Sequence, residues 1–268
     1  MGSETCIRDR LLGGAFRKKI KPYATGFYRI KGKGEASRLA EEALSHFENG
    51  FDHMKVKLGF GIDDDLKCME TIRNALKNKN VTLMIDTNHA YGRSEALTLG
   101  KNLEDFKLRW YEEPVVPEDI KGYAELRSKL DIPIAGGENE HTLFGFKSLF
   151  ENNAIDIAQP DIGSCGGITG AKHIINLAHS FGVEVNPHVW GSAIAQAASI
   201  QVIASIPETH FSIFARQPIL EYDQSSHPFR RELLSKPFEL VNGMINIPDN
   251  KGLGIEVNLE TIKKFKTN

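Results

Sequence analysis

The sequence predicts an α/β fold, a TIM-type (β/α)7β barrel. Eight short β-rich or apolar runs alternate with segments of helical spacing, the pattern of a parallel sheet covered by helices. The turns between them lack the Gly-x-Gly-x-x-Gly of a dinucleotide-binding sheet. Three carboxylates also recur at one period: Asp86 in LMIDTNHA, Glu112 in LRWYEEP and Glu138 in IAGGENE follow one another at 26-residue intervals. That interval holds one strand, one helix and the return loop. If consecutive parallel strands each end in an acid, the three oxygens converge on one rim of the sheet.

The first strand is expected at residues 20–25, and the helix at 37–47 closes at Glu48-Asn49-Gly50, a C-terminal stop signal. In the next strand, 51–58, the period of two puts Lys55 and Lys57 on one face and Met54, Val56 and Leu58 on the other. Two lysines in such a strand mean either an edge strand with a solvated face or a barrel interior facing an acidic centre. The units continue as helix 63–77, strand 81–86, helix 94–103, strand 108–112, helix 118–130, strand 134–135 and helix 143–150. Strand 155–157, helix 168–181, strand 183–186, helix 192–205 and strand 219–221 complete the ring. The tail over 240–257, with its Val-Asn-Gly turn and Pro248, reads as β-like. Three regions result: a remnant or linker over 1–19, a barrel over 20–236, and a tail over 237–268 expected to fold back onto other protein.

Thirty-three Lys and Arg against thirty-five Asp and Glu give a net charge of −2 with no extended basic run, which argues against nucleic acid. Cys6, Cys68 and Cys165 are odd in number and far apart, so they form neither a disulfide framework nor a thiolate cluster, and a reducing cytoplasm suits them. The most apolar helix candidate, within 191–206, is interrupted by Gln196 and Gln201, and no membrane span is expected.

Three convergent acids need a hard cation to hold them together, which points to Mg²⁺. Two further strand ends carry acid/base groups: Asp161 in AQPDIGSCGG and His188 in VNPHVWG. A carboxylate beside an imidazole fixes its tautomer and raises its basicity, making His188 a candidate general base opposite Lys57. A metal between two such groups suits removal of a proton α to a carboxylate, with the enediolate charge neutralised. Glu221, at the last strand, is either a protonated donor to the substrate carboxylate or an exposed strand-end acid. His89 and Trp190 stand beside site residues as candidate pocket walls. Glycines over 59–61 and 163–170 match no phosphate loop and are assigned to turns, Cys165 to a buried or loop position, and His53, His141, His173, His179, His210 and His227 to structural or solvated roles.

Taken together, MKVKLG, IDTN, YEEP, GGEN, QPDIGSCGGIT, NPHVWG and ILEYD resemble the mandelate racemase and muconate-lactonizing branch of the enolase superfamily over almost the whole chain. The resemblance implies Mg²⁺ on Asp86, Glu112 and Glu138, with Glu113 beside the site, Asn88, His89 and Trp190 at the substrate, Lys57 as one base, Lys55 as its electrostatic neighbour, and His188 with Asp161 as the other. It further implies a Mg²⁺-dependent lyase or isomerase acting on a hydroxy-carboxylate, most like the sugar-acid dehydratases and galactarolactone cycloisomerases. Dehydration of a sugar acid is the leading expectation, and a racemase or epimerase, a sugar-acid lactone cycloisomerase, or a truncated metal-binding barrel inactive without a separate cap are the alternatives. Members of that branch carry an α+β cap of about a hundred residues before the barrel, an ordinary domain size. Here the barrel begins almost at once, so the expected partner is a second copy of the chain or a separately encoded cap.

Overall fold

The computed structural model describes residues 12–208 and 216–266, so Cys6, His210 and the first part of the 1–19 segment lie outside them. In chain order the elements begin with β1 (Lys19–Ile20), β2 (Pro22–Thr25), α1 (Ala36–Glu48), β3 (His53–Lys57), α2 (Ile62–Ala75), β4 (Thr82–Asp86) and α3 (Arg93–Leu103). Next come β5 (Tyr111–Glu112), α4 (Ile120–Lys129), β6 (Ile134–Gly136), α5 (Leu143–Glu151), β7 (Ile157–Ala158), α6 (Gly167–Ser180), β8 (Glu184–Val185), α7 (Ala193–Ser205) and β9 (Leu220–Asp223). The chain ends in α8 (Pro228–Arg231), β10 (Leu240–Val241), β11 (Met244–Asn246) and α9 (Leu259–Phe265).

Eight parallel strands curl in the order β8-β7-β6-β5-β4-β3-β2-β9, which brings the last strand beside the first of the ring. Strand β3 lies between β2 and β4, so its lysines are not on an edge. The sequence implied full closure, but among the described residues no ladder joins β8 to β9. Proline explains the gap. Pro187 follows the β8 run and Pro218 precedes the β9 run, and neither can donate to a ladder. Two side chains bridge the seam instead: Asn186 Oδ1 accepts from Ile219 N–H at 2.9 Å, and Glu221 Oε2 accepts from Val189 N–H at 2.9 Å.

Alternation along the strands sorts the core into two layers. Inside the ring, Tyr23, Met84, Trp110, Ala135, Ile157 and Ile219 form a buried apolar floor, with Tyr23 edge-on to Trp110 at 5.5 Å between ring centres. Outside it, Met54, Val56, Leu83, Ile85 and Tyr111 meet the helices. Two residues beyond Met84, Trp110 and Ile219 stand Asp86, Glu112 and Glu221, so the same period raises the acids directly above the floor. Each large apolar side chain buried there contributes about 1.5–3 kcal/mol. That is the scale required to offset the several kcal/mol that each buried ion above it costs.

Helix α7 is buried over most of its surface, Gln201 and Ser199 included, as its largely apolar composition requires. No helix among the described residues is long and apolar enough to cross a membrane. The tail supplies the second cover: Gln201 Nε2 donates to the carbonyls of Pro248 and Leu253 at 3.0 and 3.1 Å. Strands β10 and β11 turn through Asn242 and Gly243, both at positive φ, as a two-residue hairpin demands. Strand β11 then pairs antiparallel with β1, so the tail packs on this chain's own entering segment and on α7.

The loop from Gly26 to Glu35 crosses the top of the barrel, and Glu35 holds it. Its Oε1 accepts from the N–H groups of Ile30, Lys31 and Gly32 at 2.8, 2.7 and 3.0 Å, and its Oε2 from Arg38 Nε at 2.6 Å. Burial opposes ionisation, but these donors overcome it and lower the Glu35 pKa from 4.5 to about 2. Because the native value lies below the unfolded one, the contribution is complete above pH 4.5 and is lost as pH falls toward 2. Glu35→Gln should therefore lower the urea midpoint at pH 7 and lose less than the parent between pH 5 and 3, a difference readable by circular dichroism.

Candidate active site

Lys55 and Glu221 sit two residues inside the carboxyl ends of β3 and β9, the other groups at the site sit at or just beyond the carboxyl end of a strand, and the ladder aligns them. Thr25 is in register with Lys55, Lys57 with Asp86, Asp86 with Glu112, and Tyr23 with Glu221. Glu138, Asp161 and His188 lie on the loops following β6, β7 and β8.

One oxygen from each of Asp86, Glu112 and Glu138 falls within 4.8 Å of the others. Asp86 and Glu112 are fully buried. Lys55, also fully buried, is held by Glu112, by Glu221 at 2.8 Å and by Asp86 at 3.5 Å. Burial alone would lower the Lys55 pKa; the carboxylates of Glu112 and Glu221 overcome it and hold it well above the usual range. Glu112 is pushed up by burial and by the neighbouring acids, against the pull of Lys55. Its Oε2 accepts from Trp110 Nε1 at 2.9 Å and from Gln159 Nε2 at 2.6 Å, which locks the carboxylate's orientation. For Asp86, burial is outweighed by Lys57, Lys55 and the Asn88 N–H, and its carboxyl stays well below the usual range.

Glu138 Oε2 is buried without a hydrogen-bond partner. Its nearest charged neighbour outside the carboxylates is His188 Nε2 at 3.4 Å, so this oxygen keeps the capacity to ligate a cation shared with Asp86 and Glu112. The all-oxygen, triply anionic donor set suits Mg²⁺ rather than a softer metal.

Acid/base groups border both ends of this acidic arc. Lys57 Nζ donates to Asp86 Oδ2 at 2.5 Å and to Asn88 Oδ1 at 2.9 Å. Burial lowers its pKa, but Asp86 dominates and the net shift is upward. At the other end, His188 Nδ1 meets Asp161 Oδ2 at 2.7 Å, and its Nε2 lies 3.4 Å from Glu138 and 3.9 Å from Glu221. Desolvation works to lower its pKa; Glu221, Asp161 and Glu138 prevail and raise it to about 9. The ring nitrogen turned toward the carboxylate cluster is Nε2.

Glu221 is not an exposed acid: it is buried, its Oε2 accepts from Val189 N–H and Lys55 Nζ stands 2.8 Å from its Oε1, and although burial raises its pKa, Lys55 and His188 bring the net shift downward. Glu113 is buried at φ 44° and points aside, accepting from Asn139 Nδ2 at 2.6 Å and Asn88 Nδ2 at 3.4 Å.

Thr25, Tyr28, Lys57, Asn88, Glu138, His188, Trp190 and Glu221 line a cleft of about 220 Å³. That is below the ~300–1,000 Å³ of pockets for drug-sized ligands, and suits a small acid. His89 is not among them. It lies against Glu113 at 3.3 Å and lines a neighbouring cleft with Val116, Pro117 and Asn139. Sequence reasoning missed Thr25, Tyr28 and Gln159. Gln159 carried a usable signal, since it lies two residues beyond Ile157 of β7, as Glu112 lies two beyond Trp110; Thr25 closes β2 and Tyr28 lies in the loop after it, and neither carried one.

The enolase C-terminal domain-like family model matches residues 38–262. D-galactarolactone cycloisomerase of Agrobacterium fabrum is 40% identical over 96% of this chain and 68% of its own length. Arabinonate dehydratase of Saccharolobus solfataricus is 28% identical over 96% of this chain and 66% of its own. In D-gluconate dehydratase of Thermoproteus tenax the match spans 51% of the relative; the chain thus spans between half and about two thirds of the length of these curated relatives. Among solved structures, the 3,6-anhydro-D-galactonate cycloisomerase of Zobellia galactanivorans superposes with a TM-score of 0.88 at 39% identity, over 98% of this chain and 70% of that one. A member of the enolase superfamily from Polaromonas sp. JS666 does so with 0.86 at 29%, over 98% and 67%. With the curled parallel sheet, the matched motifs and these relatives, the chain belongs to the enolase C-terminal domain-like family, in the mandelate racemase and muconate-lactonizing branch of the enolase superfamily.

Proposed function

We propose that this chain removes the proton α to the carboxylate of a sugar acid or its lactone, followed by departure of the β oxygen. The observation that carries this reading is one cleft in which a three-carboxylate cluster has Lys57 at one end and the Asp161–His188 pair at the other. Asp86, Glu112 and Glu138 would hold Mg²⁺. When bound, the ion supplies the positive charge that offsets the three carboxylates and that of the substrate, and so eases loss of a proton from a neighbouring cationic base. Lys57 Nζ or His188 Nε2 takes the α proton, and the other, in its protonated form, delivers a proton to the leaving oxygen. Lys55, held between Glu112 and Glu221, keeps a fixed positive charge beneath the site where negative charge develops. Thr25 Oγ1, buried without a partner at the cleft wall, is free to hydrogen-bond a substrate hydroxyl.

Two outcomes share this first step. In a dehydration the β oxygen leaves as water; in a cycloisomerisation it is a ring oxygen and stays tethered in the product. The 40% and 39% identities to cycloisomerases favour the second. A racemisation would return the proton to the opposite face and break no C–O bond. The protein should be incubated with Mg²⁺ and a panel of C5 and C6 aldonates, aldarates and their lactones, followed by mass spectrometry in H₂O and D₂O. Loss of water marks dehydration, a 2-keto-3-deoxy product of unchanged mass marks cycloisomerisation, and exchange alone marks racemisation. If Mg²⁺ binds but no substrate exchanges its α proton, the reading is wrong.

A further inference from the structure

The connection from Pro187 to Ser192 carries His188 across the seam where the sheet has no ladder, and it is held by groups from other elements. Val189 N–H is bound by Glu221, Trp190 Nε1 donates to Tyr28 OH at 3.0 Å, and the Gly191 carbonyl accepts from Arg230 Nε at 3.0 Å. Two of these three anchors meet at one carboxylate. Tyr28 OH donates to Asp223 Oδ2 at 2.9 Å, and Arg230 Nη1 lies 2.6 Å from Asp223 Oδ1. Arg230 also stands 5.4 Å over the Trp190 ring, which closes a circuit of Tyr28, Asp223, Arg230 and Trp190. The Asp223 side chain is 2% exposed, whereas Trp190 is 59% exposed. Apolar burial therefore does not fix the indole; its polar tip and the cation above it do. With its proton committed to Asp223, the Tyr28 hydroxyl offers a lone pair to Trp190, so one acceptor side chain sets the direction of the whole circuit.

We propose that Asp223 and Arg230 are positioning residues that, through Tyr28 and Gly191, latch the loop presenting His188 and hold the Tyr28–Trp190 wall of the cleft. The role of this loop in turnover rests on the reading of His188 as an acid/base group; the latch itself does not. In the full chain, Asp223→Asn and Tyr28→Phe should each release the indole. The Trp190 component of the emission, obtained as the difference from Trp190→Phe, should shift red and become more open to acrylamide. The latched fraction should fall relative to the unlatched by about five-fold, or about 1 kcal/mol at 1.4 kcal/mol per decade. His188 ring resonances, identified by their loss in His188→Asn, should move in both variants, whereas far-ultraviolet circular dichroism should not. With Mg²⁺ and an exchanging acid, exchange on the His188 face should drop, by at most about five-fold, and that on the Lys57 face should hold. Emission and quenching unchanged in both variants would overturn the latch, and unmoved His188 resonances would overturn its positioning role. A parent that exchanges no acid would instead count against the function proposed above, while the emission and resonance results still decide the latch.

Discussion

Asp86→Asn, Glu112→Gln and Glu138→Gln should each weaken Mg²⁺ binding by at least about a hundred-fold, because each removes a charged oxygen from a site whose affinity follows ligand charge. Glu112→Gln should lose most. Its Oε2 receives the Trp110 and Gln159 donors, so an amide there would either turn a donor toward donors or turn it toward Lys55. Glu138→Gln leaves the most exposed of the three positions and should be the mildest of the set in its effect on folding. Glu113→Gln is the control. Glu113, just beyond β5 at positive φ, is turned away from the cluster and acts by orienting Asn88, His89 and Asn139, so a loss of about ten-fold is expected. Isothermal calorimetry on the four variants and the parent decides. Equal affinities in all four would remove the ligand assignment.

The strand-end acids were legible in the sequence because the βα unit has a nearly constant length, so equal spacing of Asp86, Glu112 and Glu138 already implied one rim. Lys55 and Lys57 were legible as a pair on one face, but not which face. Deciding that required knowing that β3 has neighbours on both sides, a property of the sheet and not of the strand. The unladdered seam was not legible for a related reason. Eight strands imply a ring, whereas the ladder at the final seam depends on whether Pro187 and Pro218 leave donors there, and a local pattern of apolar residues is silent on that. The setting of Glu221 was not legible because nothing in ILEYD reveals that Lys55 will stand 2.8 Å away. His89 looked equivalent to Asn88 in DTNH. Yet both residues adopt positive φ, and the turn sends the two side chains to different clefts. The 26–35 loop, with Tyr28 above the cleft and Glu35 tying it down, has no periodicity to read. Its order comes from one carboxylate gathering backbone N–H groups, a contact that composition does not encode.

Lys57→Ala and His188→Asn should abolish α-proton exchange from opposite faces of the substrate carbon, each by about 10²–10⁴-fold, the range for a positioned general base. The two groups border the first and third carboxylates of the cluster, Asp86 and Glu138, so a substrate held at the metal would lie between them. Asp161→Asn should reproduce the His188→Asn phenotype in weaker form. The 2.7 Å contact to Nδ1 is what turns Nε2 toward the cleft, and removing the charge loosens the tautomer and lowers the basicity together. Nothing in the Lys57 environment touches Asp161, so exchange from the Lys57 face should survive in both variants. Stereospecific deuterium incorporation, read by NMR on each enantiomeric or epimeric acid, separates the faces, with calorimetry confirming that every variant still binds Mg²⁺. Exchange is the sharper probe than product, because it requires only proton removal and return, whereas elimination also requires a proton at the leaving oxygen. If both base variants exchange like the parent while the metal variants do not, Lys57 and His188 are bystanders to a reaction run from elsewhere in the cleft.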